Sequence, residues 1–226
     1  MTASSIREFA DNAVDPKVRG FLHIPESPNR DALILTHGAG SNSEAPLLVA
    51  LAETFSARGL TVLRCDLPYR QSRSFGPPGP GDAAHDRAGL RNALSAMRKM
   101  IPGRLFLGGH SYGGRQSSML CAELSKEDPD LASALLLLSY PLHPPRKPEQ
   151  QRTQHLPDLR TPALFVSGTR DPFGTIDELK QALKMIPAKT KLLAIEGAGH
   201  DLGFRGKKKL GDPAATVLTA FEEFLR

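Results

Sequence analysis

A chain of 226 residues, 40% hydrophobic and 23% charged, can bury one sizeable core, and with no linker-like stretch it predicts a single domain over 1–226. The 29 basic against 24 acidic residues give a net charge of +5, a mild pull on anions that falls short of a nucleic-acid footprint. Two cysteines without C-x-x-C, no His/Cys cluster at metal-ligand spacing, no apolar leader core and no apolar run long enough for a bilayer exclude disulfide-framework, zinc and membrane classes, so a soluble cytoplasmic protein without metal or cofactor is expected.

In chain order, Lys17 to Ile24 alternates loosely and predicts an early strand, closed by Pro25. Ala32-Leu33-Ile34-Leu35-Thr36 is a continuous apolar run, the pattern of a strand covered on both faces of a mostly parallel sheet. It runs directly into His37-Gly38-Ala39-Gly40. Ser43-Glu44-Ala45-Pro46 carries helix-start chemistry with Ser43 as the expected N-cap; Leu47, Leu48, Leu51, Ala52 and Phe55 then mark one helical face, ended by Gly59. The strand Thr61–Cys65 leads into Asp66-Leu67-Pro68 and a breaker-rich loop from Tyr69 to Gly81. From Asp82 a helix is predicted on Leu90, Ala93, Leu94, Met97 and Ile101.

Leu105-Phe106-Leu107 precedes Gly108-Gly109-His110-Ser111-Tyr112-Gly113-Gly114, and a helix follows from Arg115. Ala134–Leu138 is another buried strand; the proline-rich segment 142–162 behind it shows little periodicity and offers a short lid or rim. Ala163–Val166 runs into Ser167-Gly168-Thr169-Arg170-Asp171-Pro172, and a helix on Ile176, Leu179, Leu183 and Ile186 follows. Leu192–Ile195 runs into Glu196-Gly197-Ala198-Gly199-His200-Asp201. Lys207-Lys208-Lys209, without interleaved aromatics, reads as a solvated loop, and a last helix carries Val217, Leu218, Phe221, Phe224 and Leu225. Buried strands alternating with amphipathic helices predict an α/β fold built from βαβ units around a parallel sheet.

Gly109-His110-Ser111-Tyr112-Gly113 fits G-x-S-x-G in a strand–turn–helix context. Such a turn lifts a serine hydroxyl above the sheet, and glycines two before and two after let neighbouring backbone pass. A serine hydroxyl is a poor nucleophile until a base takes its proton, and that base needs a carboxylate on its other nitrogen. In an open α/β sheet these groups belong at the carboxyl ends of strands. His200 is the expected base and Asp171 the expected acid, with Asp66, which also ends a strand, as the rival acid. The oxyanion would be held by the backbone N–H groups of Tyr112 and Ala39. His37 and His110 sit in glycine-bounded turns, where a local hydrogen bond is their expected role. Arg70, Arg73 and Arg115 are candidate substrate-binding residues for a carboxylate or phosphate.

At these residues the chain resembles the α/β-hydrolase superfamily over nearly its whole length. The matching pieces are His37-Gly38-Ala39-Gly40, Gly109–Gly113, Gly168-Thr169-Arg170-Asp171 and Gly197-Ala198-Gly199-His200, in that family's order Ser, Asp, His. It looks like the small dienelactone-hydrolase-like proteins. Asp66-Leu67-Pro68-Tyr69-Arg70-Gln71 and the Gly-His-Ser-Tyr-Gly-Gly-Arg turn make it similar to a group that includes the hydrolase-like domain of a nuclear non-specific-lethal complex subunit. The resemblance implies a three-layer α/β-hydrolase fold and a Ser111–His200–Asp171 triad. Dienelactone hydrolases proper use a cysteine nucleophile, whereas position 111 is serine, and the related domain of the nuclear complex looks more like a scaffold. Two function classes therefore stand. One is a serine hydrolase acting on a small ester or thioester; the other is a non-catalytic interaction module. Oligomeric state is left open.

Overall fold

The computed structural model describes residues 5–204 and 211–226; the Lys207-Lys208-Lys209 run lies outside them. Among the described residues the predicted strands, joined by one more at the edge, form one eight-stranded sheet: β1 (Ser5–Asp11), β2 (Val18–Ile24), β3 (Ala32–Thr36), β4 (Thr61–Cys65), β5 (Leu105–His110), β6 (Ala134–Leu138), β7 (Ala163–Gly168) and β8 (Thr190–Ile195). Their spatial order is β1-β2-β4-β3-β5-β6-β7-β8, with β1 and β2 antiparallel and β4 through β8 parallel. The chain goes from β3 to β4 on one side, then returns past β3 to place β5 on the other. That reversal makes the carboxyl ends of β3 and β5 a topological switch point, where a crevice must open.

The helices are α1 (Pro46–Ser56), α2 (Pro68–Ser72), α3 (Asp82–Met100), α4 (Tyr112–Leu124), α5 (Ile176–Leu183) and α6 (Pro213–Phe224). Alternate strand residues feed two cores. Ile34, Leu63, Leu107, Leu135 and Phe165 pack under α3, α4 and α5. Leu33, Val62, Phe106, Leu136 and Leu164 pack under α1 and α6. Burial on both faces is why these strands read as unbroken apolar runs. Cys65 and Cys121 are free and buried, and burial raises each thiol to about 12. No described helix is long and apolar enough to cross a membrane.

Three local features differ from the sequence expectation. β1 is a mostly exposed edge strand held by its ladder to β2, so its polar sequence carries no burial pattern to read. The loop after β4 contains the short helix α2, opened by Pro68, too brief for a 3.6-residue period to show. Finally, α1 starts after Ala45 with no side-chain cap. Ser43 lies further out, and its backbone N–H donates to Asp66 Oδ1 at 2.7 Å.

Two packed histidines make stability depend on pH. Arg64 Nε–H donates to His23 Nε2 at 2.8 Å, while His155 Nε2 pairs with Ser118 Oγ at 2.8 Å. Burial, then the Arg64 charge, holds His23 down at about 4; burial, then Arg115 and Arg87, holds His155 at about 4. The unfolded chain therefore binds more protons than the folded one between the ordinary value of 6.5 and about 4. Stability is full above that window and falls as pH drops through it. Urea midpoints taken across the window should fall with pH, and His155→Gln, which keeps a neutral partner for Ser118, should flatten the slope. An unchanged slope would assign the acid sensitivity elsewhere.

Candidate active site

β5 ends in Gly108-Gly109-His110, Ser111 takes φ 52° and ψ −115°, and α4 begins at the next residue. A positive φ on a serine costs about 1–3 kcal/mol and has to be imposed by the surroundings. Here Ser111 N–H donates to Leu138 O at 2.8 Å, tying the turn to β6. The flanking glycines are obligatory. A Cβ on Gly109 would lie 2.7 Å from Thr36 O, and one on Gly113 would lie 2.5 Å from His37 O.

The loops after β7 and β8 converge on this serine. Ser111 Oγ lies 2.8 Å from His200 Nε2, and His200 Nδ1 lies 2.9 Å from Asp171 Oδ2 and 3.0 Å from Oδ1. Because Nδ1 faces a carboxylate, it carries the proton, leaving the Nε2 lone pair for the serine hydroxyl. Asp171 is 6% exposed, and its Oδ1 also accepts the Phe173 N–H at 2.9 Å. The Phe173 ring packs on His200 with centroids 4.2 Å apart. His110 Nε2–H donates to the His200 carbonyl at 2.7 Å and so steadies the histidine's backbone. Asp66, the rival acid, is engaged elsewhere: it accepts from Ser43 N–H and stands 3.6 Å from His37 Nε2.

The loop after β3 is gripped from behind. His37 is fully buried, which lowers its pKa and keeps it neutral; Nε2 accepts the Leu67 N–H at 3.1 Å, so Nδ1–H donates to Gly38 O at 2.9 Å. Tyr69 O–H donates to Ala39 O at 2.8 Å and approaches Gly38 O at 3.3 Å. Arg70 donates to Ser41 O at 2.7 Å, Gly76 O at 2.8 Å, Arg73 O at 3.1 Å and Ala39 O at 3.4 Å. In a trans peptide the N–H points opposite to the C=O, so anchoring Gly38 O turns the Ala39 N–H away from Tyr69. Tyr112 opens α4, where first-turn N–H groups have no intrahelical acceptor. Its hydroxyl donates at 2.8 Å to Asp86, whose other oxygen accepts the Tyr69 N–H at 3.1 Å. Burial pushes both the Asp86 carboxyl and the Tyr112 hydroxyl up.

Above Ser111 and His200 lies a cavity of about 470 Å³, walled by the 37–41 loop, Ala45–Leu48 at the start of α1, His110, Phe173, Asp201 and Phe204. A family model described as an alpha/beta hydrolase domain matches residues 29–223, nearly the whole chain. The chain belongs to the α/β-hydrolase family. Its fold is similar to that of a dienelactone hydrolase from Anabaena variabilis (TM-score 0.76, 21% identity, covering 99% of this chain and 98% of that one). It is also similar to Est1E from Butyrivibrio proteoclasticus (TM-score 0.72, 18% identity, 98% and 99% covered). A third, XC6422 from Xanthomonas campestris, described as an α/β serine hydrolase without lid, gives a TM-score of 0.67 at 16% identity, with 99% and 96% covered.

In this α/β-hydrolase Ala39, Ser111 and His200 line the cavity, with Asp171 on the far nitrogen of His200 and Tyr112 next to Ser111, but the arginines expected to bind substrate do not line it. Arg70 is held by backbone carbonyls and is 7% exposed; Arg73 pairs with Asp82; Arg115 lies beside Tyr140. Residues 142–162 do not line it either. That segment is fastened down by Tyr140 O–H donating to Arg152 O at 2.6 Å and Arg152 N–H donating to Leu142 O at 2.8 Å. Sequence reading missed Phe173, Asp86 and the Ala45–Leu48 wall. Phe173 left one usable trace, an aromatic two residues after the acid at a strand end. Asp86 left none, being one polar residue on a helix whose buried face was read from its apolar positions.

Proposed function

We propose that this α/β-hydrolase is a serine hydrolase that cleaves a carboxylic ester or thioester of a small substrate through an acyl-enzyme. The observation that carries the reading is the unbroken run of hydrogen bonds from Ser111 Oγ through His200 to the buried Asp171 carboxylate, at 2.8 and 2.9 Å. In the reaction His200 Nε2 takes the Ser111 proton as Oγ bonds to the substrate carbonyl carbon. Asp171 keeps the imidazole in the right tautomer and stabilises the imidazolium. The carbonyl oxygen, now negative, accepts from the Ala39 and Tyr112 N–H groups, with the α4 N-terminus behind the second. His200 returns the proton to the departing alcohol or thiol as the C–O or C–S bond breaks. Water, deprotonated by the same histidine, then releases the acid and restores Ser111. The likeness to a protein described as an α/β serine hydrolase supports the reading.

Labelling with a fluorophosphonate probe, followed by peptide mass spectrometry, tests activation of the serine without needing the substrate. One adduct on the Ser111 peptide is expected, absent in Ser111→Ala and strongly diminished in His200→Ala. Folded protein that takes no label would overturn the proposal in favour of a non-catalytic interaction module.

A further inference from the structure

Asp86 stands on the buried face of α3 beside Gly89, Leu90 and Ala93, and is itself fully buried. A carboxylate on such a face is costly unless hydrogen bonds replace its water. Burial raises its pKa, and the bonds it accepts from Tyr69 and Tyr112 pull it back down. Both bonds lead to the oxyanion donors. One oxygen accepts the Tyr112 O–H at 2.8 Å, tethering by its far end the residue that opens α4 and offers one backbone N–H. The other oxygen accepts the Tyr69 N–H at 3.1 Å. That N–H lies in the first turn of α2, where the N-cap Leu67 gives no side-chain bond, so Asp86 serves as its acceptor. The Tyr69 hydroxyl then donates at 2.8 Å to Ala39 O, on the loop that offers the second N–H. The two tyrosine rings meet edge to face, 5.9 Å apart at 89°. One turn further along α3, a Cβ on Gly89 would lie 2.5 Å from Pro68 Cγ, so α3 packs directly on α2.

Resting on the serine-hydrolase reading, we propose that Asp86 is a positioning residue for the reaction: through Tyr112 on one side and Tyr69 on the other, it sets the two oxyanion donors relative to each other. The donors belong to segments far apart in the chain, the loop after β3 and the start of α4, and must converge on one oxygen before charge develops there. A single carboxylate joined to both segments fixes that convergence. Asp86 is not among the described residues lining the cavity, so it acts only through the tyrosines.

The test times fluorophosphonate labelling of Ser111 in the intact protein. In that reaction Oγ bonds to phosphorus, fluoride leaves, the serine proton passes to His200, and the phosphonyl oxygen occupies the oxyanion position. Varying the probe concentration gives a maximal rate and a half-saturating concentration, while the endpoint counts folded sites. Losing one oxyanion donor outright costs about 10²–10³-fold, so Asp86→Leu, which removes both acceptors, should lower the maximal rate by at least about tenfold. Its endpoint and half-saturating concentration should hold. Asp86→Asn should restore most of the rate, because its oxygen can accept the Tyr69 N–H and its amide can donate to the Tyr112 hydroxyl oxygen. A merely structural role would lower the endpoint and leave the remaining sites reacting at the wild-type rate. Wild-type rate in Asp86→Leu overturns the inference. So does an asparagine variant no faster than the leucine one, which would place the effect in the charge. Should Asp86→Leu fail to fold, Tyr112→Phe and Tyr69→Phe decide, since each cuts one arm. Both should label more slowly to a full endpoint, and wild-type rate in either overturns the inference while leaving the hydrolase reading standing. Folded wild-type protein that takes no label at Ser111 overturns both.

Discussion

Asp171→Asn is expected to lower kcat by about 10⁴-fold while leaving the fold intact. The asparagine amide presents N–H where a carboxylate oxygen received His200 Nδ1–H, so the imidazole is driven to its other tautomer. The proton then sits on Nε2, which can no longer accept from Ser111 Oγ across the present 2.8 Å. The loss should fall on kcat, with KM for a neutral nitrophenyl ester nearly unchanged, and should appear as slow fluorophosphonate labelling. Asp66→Asn is the matched control. Its amide oxygen can still accept the Ser43 N–H, so its activity should stay within a few fold of wild type. A large loss in the second variant and a small one in the first would make Asp66 the acid.

Arg70→Met should lower kcat by about 10²-fold and stability by about 3 kcal/mol. In the folded protein the guanidinium carries four carbonyls at once, two of them, Ala39 O and Ser41 O, on the loop that offers the Ala39 N–H. Methionine fills the space but leaves the Ser41, Arg73 and Gly76 oxygens without that donor and Ala39 O with Tyr69 O–H alone, so the loop loses much of its grip. Lysine keeps the charge on a single nitrogen that cannot match a planar fork, so Arg70→Lys should restore stability more than rate. The kinetic split separates this role from substrate binding. A positioning residue changes kcat for every ester, neutral or anionic. A binding residue would raise KM for the anionic ester alone. Thermal melting of both variants shows how much of the rate loss is loss of fold.

Much of the architecture was legible because strands buried on both faces read as short continuous apolar runs, which their length and flanking turn residues separate from helices. Ala32–Thr36 and Ala134–Leu138 are apolar at nearly every position since both sheet faces are covered, while Thr61–Cys65 buries Thr61 and Arg64 among its apolar residues. β1 escaped for the converse reason: its backbone ladder stabilises it without burying its side chains. α2 escaped because five residues make little more than one helical turn. Ser43 was misread as a cap because N-cap chemistry and loop anchoring call on the same small polar residues.

At the site, the serine turn and the order in which serine, acid and histidine arrive at strand ends were legible in the residues alone. These are local facts, set by glycines that must lack a Cβ and by where an apolar run stops. Which partners those groups meet follows from the packing of the folded chain. Asp171 reaches His200, whereas Asp66 turns to Ser43 and His37; Arg70 faces carbonyls instead of the cavity. Those outcomes depend on the strand order β4-β3-β5, which brings residues from opposite ends of the chain to one crevice. Sequence spacing fixes the path of the backbone through a turn. It carries no information about which of two equally placed side chains finds its hydrogen-bond partner across a sheet, because that choice is made by packing between segments far apart in the chain.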